Sequence, residues 1–533
     1  MEFKKHYSRI DLERLFDGEF QVPESFLLGT ASSAFQVEGG YNRPGEPLNN
    51  WLEFERSGRV ETSGEAARFW DDHRAHLELA ARTGQNSFRM SVEWARIQPG
   101  STPTRSTVPA FDQRALEKYS DIIADIMKLG MEPVITLHHF THPRWLGPDF
   151  WLENQKLGLF RNYVEKTVGE INRGLADRHS LRPVRYWVTL NEPNALCLVS
   201  YLVRRFPHRR GGLAHALKSR DNMLDAHCRA YDSIHRIYRE NQWPSPMVSY
   251  NTFCISTYHL DRIFTDLLLS RQNGTMRIDL DSYIEDCRCA WEEEVARAAP
   301  LTRAPLANRS LEKTVNRIMA RKAGVESFPN GIKAIYSSPQ PRKLDYLAID
   351  YYDPWLRHML KAPSGEDRRE KNFSFGSELW EQVLNPAGLY HFLKAASLNS
   401  GGLPVYVLEN GMCYRGEGTP RQDGATIDRF LQCNLYEVMR ALKDGIPVNG
   451  YFYWTLVDNY EWGSYQPRFG LYSLDRSAEP VGIRMVDALG IDSGSMFAAL
   501  AGALMKNDRE LVIDAFEQVA SSRGAYPAGQ DNR

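Results

Sequence analysis

Three stretches of this chain repeat one local pattern: an amphipathic helix, a glycine, then a short apolar run. In Glu117–Leu137 the apolar side chains Tyr119, Ile122, Ile123, Ile126 and Met127 recur at the spacing of one helix face. Gly130 follows, suited to the left-handed turn that ends a helix, and Pro133–Leu137 reads as a strand buried on both faces. His76–Val92 repeats the pattern around Gly84, and Leu435–Trp454 repeats it around Gly445. Strands buried on both faces and alternating with helices form a parallel sheet.

Eight buried-strand candidates follow from this pattern: Phe26–Thr30, Asn86–Val92, Pro133–His138, Val184–Leu190, Met247–Phe253, Leu344–Tyr352, Val405–Leu408 and Val448–Trp454. Eight parallel strands with helices between them predict an α/β fold, a single (β/α)8 TIM barrel with long loop insertions. An open doubly wound sheet is the competing architecture, but no GxGxxG follows an early strand. A bare barrel needs about 250 residues, and the chain has 533. We expect the barrel to occupy 1–490, with 491–533 a C-terminal helical extension and tail. The polar stretches Gly100–Ala110, Ala362–Ser377 and Arg415–Thr426 are read as loops outside the core, and the span from Cys254 to Lys343 as a helical excursion.

Lys and Arg number 65 against 67 Asp and Glu, which excludes a chain whose main work is coating nucleic acid or an anionic membrane. The longest clearly apolar stretch, Met496–Met505, is too short to span a bilayer. Charges interrupt the first sixteen residues where a signal peptide needs an apolar core, so a cytoplasmic location is expected. Seven scattered cysteines do not make a disulfide framework, and the lone Cys287-x-Cys289 is a weak zinc signal.

In a barrel, chemistry collects at the C-terminal ends of the strands. Those ends carry Arg89, His139, Asn191-Glu192, Tyr352, Glu409-Asn410 and Trp454. Glu192 in VTLNEPN and Glu409 in VYVLENG each follow an apolar run and neighbour an Asn. Either one alone is commonly a strand-end cap or salt-bridge partner. Two carboxyls in such settings, however, allow one raised pKa beside one ionised group, and that division of labour cleaves glycosidic bonds. After the eighth strand, WTLVDNYEWGSYQPRFG interleaves aromatic rings with acids and amides, which suits the apolar faces and polar rim of a pyranose.

Read together, FLLGTASSAFQVEGG, NSFRMSVEWARIQP, TLHHFTHPRWL, WVTLNEPN, LDYLAIDYY, VYVLENG and WTLVDNYEW resemble, in order, the motifs of glycoside hydrolase family 1, the β-glucosidase family, over about 22–475. The resemblance implies a retaining exo-β-glycosidase acting by double displacement on β-glucosides, with β-fucosides and β-galactosides as further substrates. Glu192 would be the acid/base and Glu409 the nucleophile, roughly 5 Å apart. Arg89 and Tyr352 match the groups that keep the nucleophile ionised, and Asn191 matches the contact to the sugar 2-hydroxyl. Gln36, His139, Glu461 and Trp462 match readers of the other hydroxyls, Trp454 a stacking floor and Phe469 a wall near C6. The phospho-sugar branch replaces the Trp after the sugar-reading acid, so Glu461-Trp462 implies an unphosphorylated β-linked sugar.

No cofactor is expected, and no metal: His138 and His139 are strand neighbours that point to opposite faces, which suits no shared ion with His142. The chain departs from the family pattern at Leu408, Phe140, Asn434 and Asp350, the last an extra acid that would raise the nucleophile's pKa. Arg204–Arg210 reads as a solvated basic loop, with attraction of an anionic aglycone as the alternative. Three other activities compete with hydrolysis. They are transglycosylation through the same intermediate, non-catalytic sugar binding and metal-dependent hydrolysis.

Overall fold

The computed structural model describes residues 7, 9–16, 21–100, 108–298, 306–359 and 378–521. Its sheet holds β1 (Leu27–Ala31), β2 (Ser87–Ser91), β3 (Glu132–Thr136), β4 (Tyr186–Val188), β5 (Met247–Ser249), β6 (Thr252–Phe253), β7 (Leu347–Tyr351), β8 (Val405–Asn410) and β9 (Val448–Trp454). All pair in parallel, in the order β5-β4-β3-β2-β1-β9-β8-β7-β6. The two ends of that order are one stretch of chain. β5 pairs with β4, β6 pairs with β7, and only Tyr250 and Asn251 separate them. The fifth predicted strand, Met247–Phe253, thus closes the ring into an eight-position barrel, with Asp345 N donating to Val248 O at 3.0 Å.

The helix–glycine–strand pattern accounts for this arrangement locally. Asp112 caps the helix Gln113–Lys128 by accepting from Ala115 N at 3.1 Å. That helix buries Leu116, Tyr119, Ile122, Ile123 and Ile126 against the barrel, and Gly84, Gly130 and Gly445 end their helices with φ between 70° and 80°. Side chains alternate across each strand. One set packs outward under the helices, while Leu27, Val134, Val188, Tyr346, Tyr406 and Phe452 fill the barrel interior.

Strand ends differ from the sequence expectation. β8 continues through Glu409 and Asn410, whereas β4 stops at Val188 and leaves Glu192 on the loop beyond it. The excursion after the fifth strand contains the helices Ile263–Ser270, Leu280–Ala298, Leu306–Lys322 and Pro329–Ser337. Arg415–Thr426 is not wholly outside the core. Arg421 is buried because its guanidinium donates to the carbonyls of Trp380, Cys413 and Gln382 and pairs with Asp423. The helices Ser493–Met505 and Arg509–Ser521 bury Phe497, Leu500, Ile513 and Phe516, and Gln432 on the helix Ile427–Lys443 donates to Phe516 O. Ala362–Ser377, most of Gly100–Ala110 and 522–533 lie outside the described residues. All seven cysteines are free, six of them buried, and no helix among the described residues is long and apolar enough to cross a membrane.

Candidate active site

A cavity of about 630 Å³ opens at the C-terminal ends of the strands. His139, Asn191, Glu192, Tyr352, Glu409, Trp454, Glu461, Trp462 and Phe469 line it, nine of the eleven residues singled out in the sequence. The other two, Arg89 and Gln36, are fully buried behind the lining and reach the cavity through Glu409 and Glu461.

Glu409 sits inside β8, where the strand fixes its backbone. Arg89, inward-facing on β2, donates from Nη1 to Glu409 Oε1 at 2.7 Å and from Nη2 to Asn191 Oδ1 at 2.5 Å. Tyr352 donates its hydroxyl to Glu409 Oε2 at 3.0 Å. Burial pushes the Glu409 carboxyl above its usual range, and the Arg89 charge and these hydrogen bonds pull it back.

Glu192 is held differently. Its backbone is left-handed, with φ of 41°, a strained conformation for a non-glycine residue, fixed by Glu192 N donating to Asn251 O and by Pro193 opening the next helix. Burial, then the charges of Asp350 and Glu409, drive its carboxyl well above the ordinary range. Carboxyl oxygens of Glu192, Asp350 and Glu409 lie within 4.8 Å of one another. Among the described residues this is the one His/Cys/Asp/Glu group tight enough to share an ion, but Arg89 already supplies its positive charge. That spacing matches the short carboxyl separation of retaining glycosidases rather than the longer one of inverting enzymes.

The rim carries polar groups between aromatic rings. Glu461 Oε2 accepts from Gln36 Nε2 at 3.0 Å and from Trp454 Nε1 at 3.3 Å, and burial lifts its pKa to about 7. His139 lies between the Trp454 and Trp462 rings, 5.9 Å from each, and burial with the nearby Arg89 charge keeps it neutral. His138 faces away, against Trp151, so His138 and His139 do not converge.

Several lining residues were not anticipated. Trp380, on the turn Leu379–Glu381, and Phe206 and Phe253 make the outer wall aromatic. Asn251 donates to both Asn191 and Asp350; an amide within the largely apolar run Met247–Phe253 was the available signal. In the basic loop, Arg205 lines the cavity while Arg210 pairs with Asp149 and Glu153.

The family model for glycosyl hydrolase family 1 matches residues 19–263 and 314–485. Beta-glucosidase 47 of Arabidopsis thaliana is 27% identical over 484 residues, covering 86% of this chain and 82% of that protein. A 6-phospho-beta-galactosidase of Clostridium acetobutylicum is 25% identical over 487 residues, 85% and 92% of the two chains. Among solved structures, a family 1 β-glucosidase from Thermotoga maritima superposes with a TM-score of 0.64 at 21% identity, covering 92% of this chain and 99% of the other. A β-glycosidase from Pyrococcus horikoshii gives 0.61 at 24%, over 91% and 96%. These matches, together with the paired carboxyls at the barrel mouth, make the chain a member of glycosyl hydrolase family 1, a retaining β-glycosidase.

Proposed function

We propose that the protein is an exo-β-glucosidase that hydrolyses unphosphorylated β-glucosides by double displacement. Glu409 attacks the anomeric carbon while Glu192 gives its proton to the departing oxygen. Glu192 then takes a proton from water, which cleaves the glycosyl ester. Support comes from the unequal settings of the two groups: Arg89 and Tyr352 both hydrogen-bond Glu409 and favour its anion, whereas among the described residues no Lys or Arg forms an ion pair with Glu192, whose largest charge influence is Asp350. Asn191, oriented by Arg89 and Asn251 through its oxygen, leaves its Nδ2 unpaired for a sugar hydroxyl.

The observation that carries the sugar class is Glu461, a carboxyl braced by Gln36 and Trp454. A carboxylate accepts from sugar hydroxyls and repels a phosphate dianion. The aromatic wall of Phe206, Phe253 and Trp380 suits an aryl or alkyl aglycone. The test is kcat/KM for 4-nitrophenyl β-glucoside, β-galactoside and the 6-phosphate of each. The unphosphorylated β-glucoside should lead its 6-phosphate by about tenfold or more, the equivalent of ~1.4 kcal/mol. A preference for either 6-phosphate would overturn the assignment.

A further inference from the structure

Double displacement requires two carboxyls, and a third, Asp350, lies within 4.8 Å of both. Alternation along β7 turns Ala348 and Asp350 into the barrel, and register sets Asp350 between Phe253 on β6 and Glu409 on β8. Asp350 is 0% exposed, Glu409 5% and Glu192 6%. The charged and titratable groups facing Asp350 come from every adjoining element: Arg89 on β2, Glu192 beyond β4, Cys254 after β6, Tyr352 after β7 and Glu409 on β8. Asn251 Nδ2 donates to Asp350 Oδ2, while among the described residues no N–H or hydroxyl donates to Asp350 Oδ1.

Oxygens of the Glu192 and Asp350 carboxyls lie within 4.8 Å of each other, both groups buried. An ionised pair at that distance offers acceptors alone and repels, whereas one proton between the two gives the unpaired Asp350 Oδ1 a partner. Charge counting agrees. Three ionised carboxyls against the Arg89 guanidinium would leave a net charge of −2, from 1 − 3, among side chains that are all buried, and such charge is relieved by protonation. Arg89 and Tyr352 both spend hydrogen bonds on Glu409, so the proton falls to the other two groups.

We propose that Asp350 is a positioning residue for proton transfer, sharing one proton with Glu192. The inference rests on the reading of Glu192 as the acid/base. In the first step the shared proton leaves on the aglycone oxygen as Glu409 forms its ester. Loss of the Glu409 charge then frees Arg89 to offset the two remaining anions. In the second step Glu192, made more basic by Asp350, takes a proton from water. The hydroxide so formed releases the sugar and restores the Glu409 carboxylate. Each turnover gives up one proton and regains one.

The test is Asp350→Asn, nearly isosteric and neutral, compared with wild type and Glu192→Ala. Profiles of kcat/KM against pH are measured on a β-glucoside with an alkyl leaving group, which needs protonation, and on the dinitrophenyl glucoside, which does not. A neighbouring anion raises the pKa of an acid, so Asp350→Asn should move the alkaline limb for the alkyl glucoside to lower pH by about one unit. The dinitrophenyl profile should keep its alkaline limb. An unmoved limb for the alkyl substrate overturns the role of Asp350. It leaves Glu192 as the acid if Glu192→Ala loses the alkyl substrate selectively and is rescued by azide on the dinitrophenyl one. If Glu192→Ala cleaves the alkyl substrate normally, the acid/base reading itself fails. In the wild type, carbon-13 NMR of labelled Asp and Glu carboxyls gives an independent answer. Glu192 and Asp350 should titrate together as a pair, and a single independent step for each would refute the sharing.

Discussion

On one wall of the pocket Glu409 meets a guanidinium and a phenol; on the opposite wall Glu192 meets another carboxyl. Both are buried to nearly the same degree, so burial raises both, and what separates them is the charge of the nearest partner. Backbone setting follows the same division. Glu409 is fixed within a paired strand, whereas Glu192 sits on a strained left-handed residue after the strand has ended. A nucleophile has to point at one carbon, while an acid that later becomes a base has to serve a leaving group and then a water. A single barrel rim thus makes two chemically different carboxyls from identical side chains by changing their neighbours and their backbone setting.

The largest test of that contrast is Glu409→Ala. It should lower kcat on any β-glycoside by about four orders of magnitude or more, since nucleophile loss removes the covalent route altogether. Azide or formate should restore turnover with the inverted product, read by NMR of the first-formed sugar. Next is Glu192→Ala. Its loss should be about a hundredfold to ten-thousandfold with poor leaving groups, the usual contribution of general acid catalysis. With dinitrophenyl glucosides the first step should be spared and the second rescued by azide. Similar behaviour of the two variants across leaving groups would erase the contrast.

Smaller, but more specific to this chain, is the effect of Asp350 on stability. Its carboxyl is pushed well above the usual value by burial and by the Glu409 charge. The folded state therefore binds more protons than the unfolded one, and the stability contributed here falls as pH rises above about 4. Asp350→Asn should leave the unfolding midpoint unchanged near pH 4 and raise it by about 1–3 °C at pH 8, as followed by calorimetry. A midpoint gain equal at both pH values would mean that Asp350 is not strained by its charge.

The barrel was legible because strands buried on both faces leave unbroken apolar runs, and because glycines at left-handed turns mark where each helix stops. Glu192 and Glu409 were legible for a related reason: each stands where an apolar run ends beside Asn, Pro or Gly. Asp350 was visible as a departure, but its meeting with Glu192 was not. That meeting depends on β5 and β6 closing the ring, which sets Asn251 beside both acids, its backbone oxygen accepting from Glu192 N and its side chain donating to Asp350, and no local pattern encodes ring closure. Trp380 was missed because a three-residue turn has no periodicity to read. Gln36 matched a sugar reader, yet it is sealed behind Glu461 and orients that acid rather than lining the cavity.

The most direct test of the central claim is to trap the intermediate. The wild-type protein is treated with a 2-deoxy-2-fluoro-β-glucosyl fluoride, whose good leaving group allows the first step while the fluorine slows both. Intact mass spectrometry and peptide mapping then locate the adduct. One fluoroglucosyl group per chain is expected, attached through the side-chain oxygen of Glu409. An adduct on Glu192 or Asp350, or continued hydrolysis of β-glucosides by a protein that never labels at Glu409, would contradict that claim.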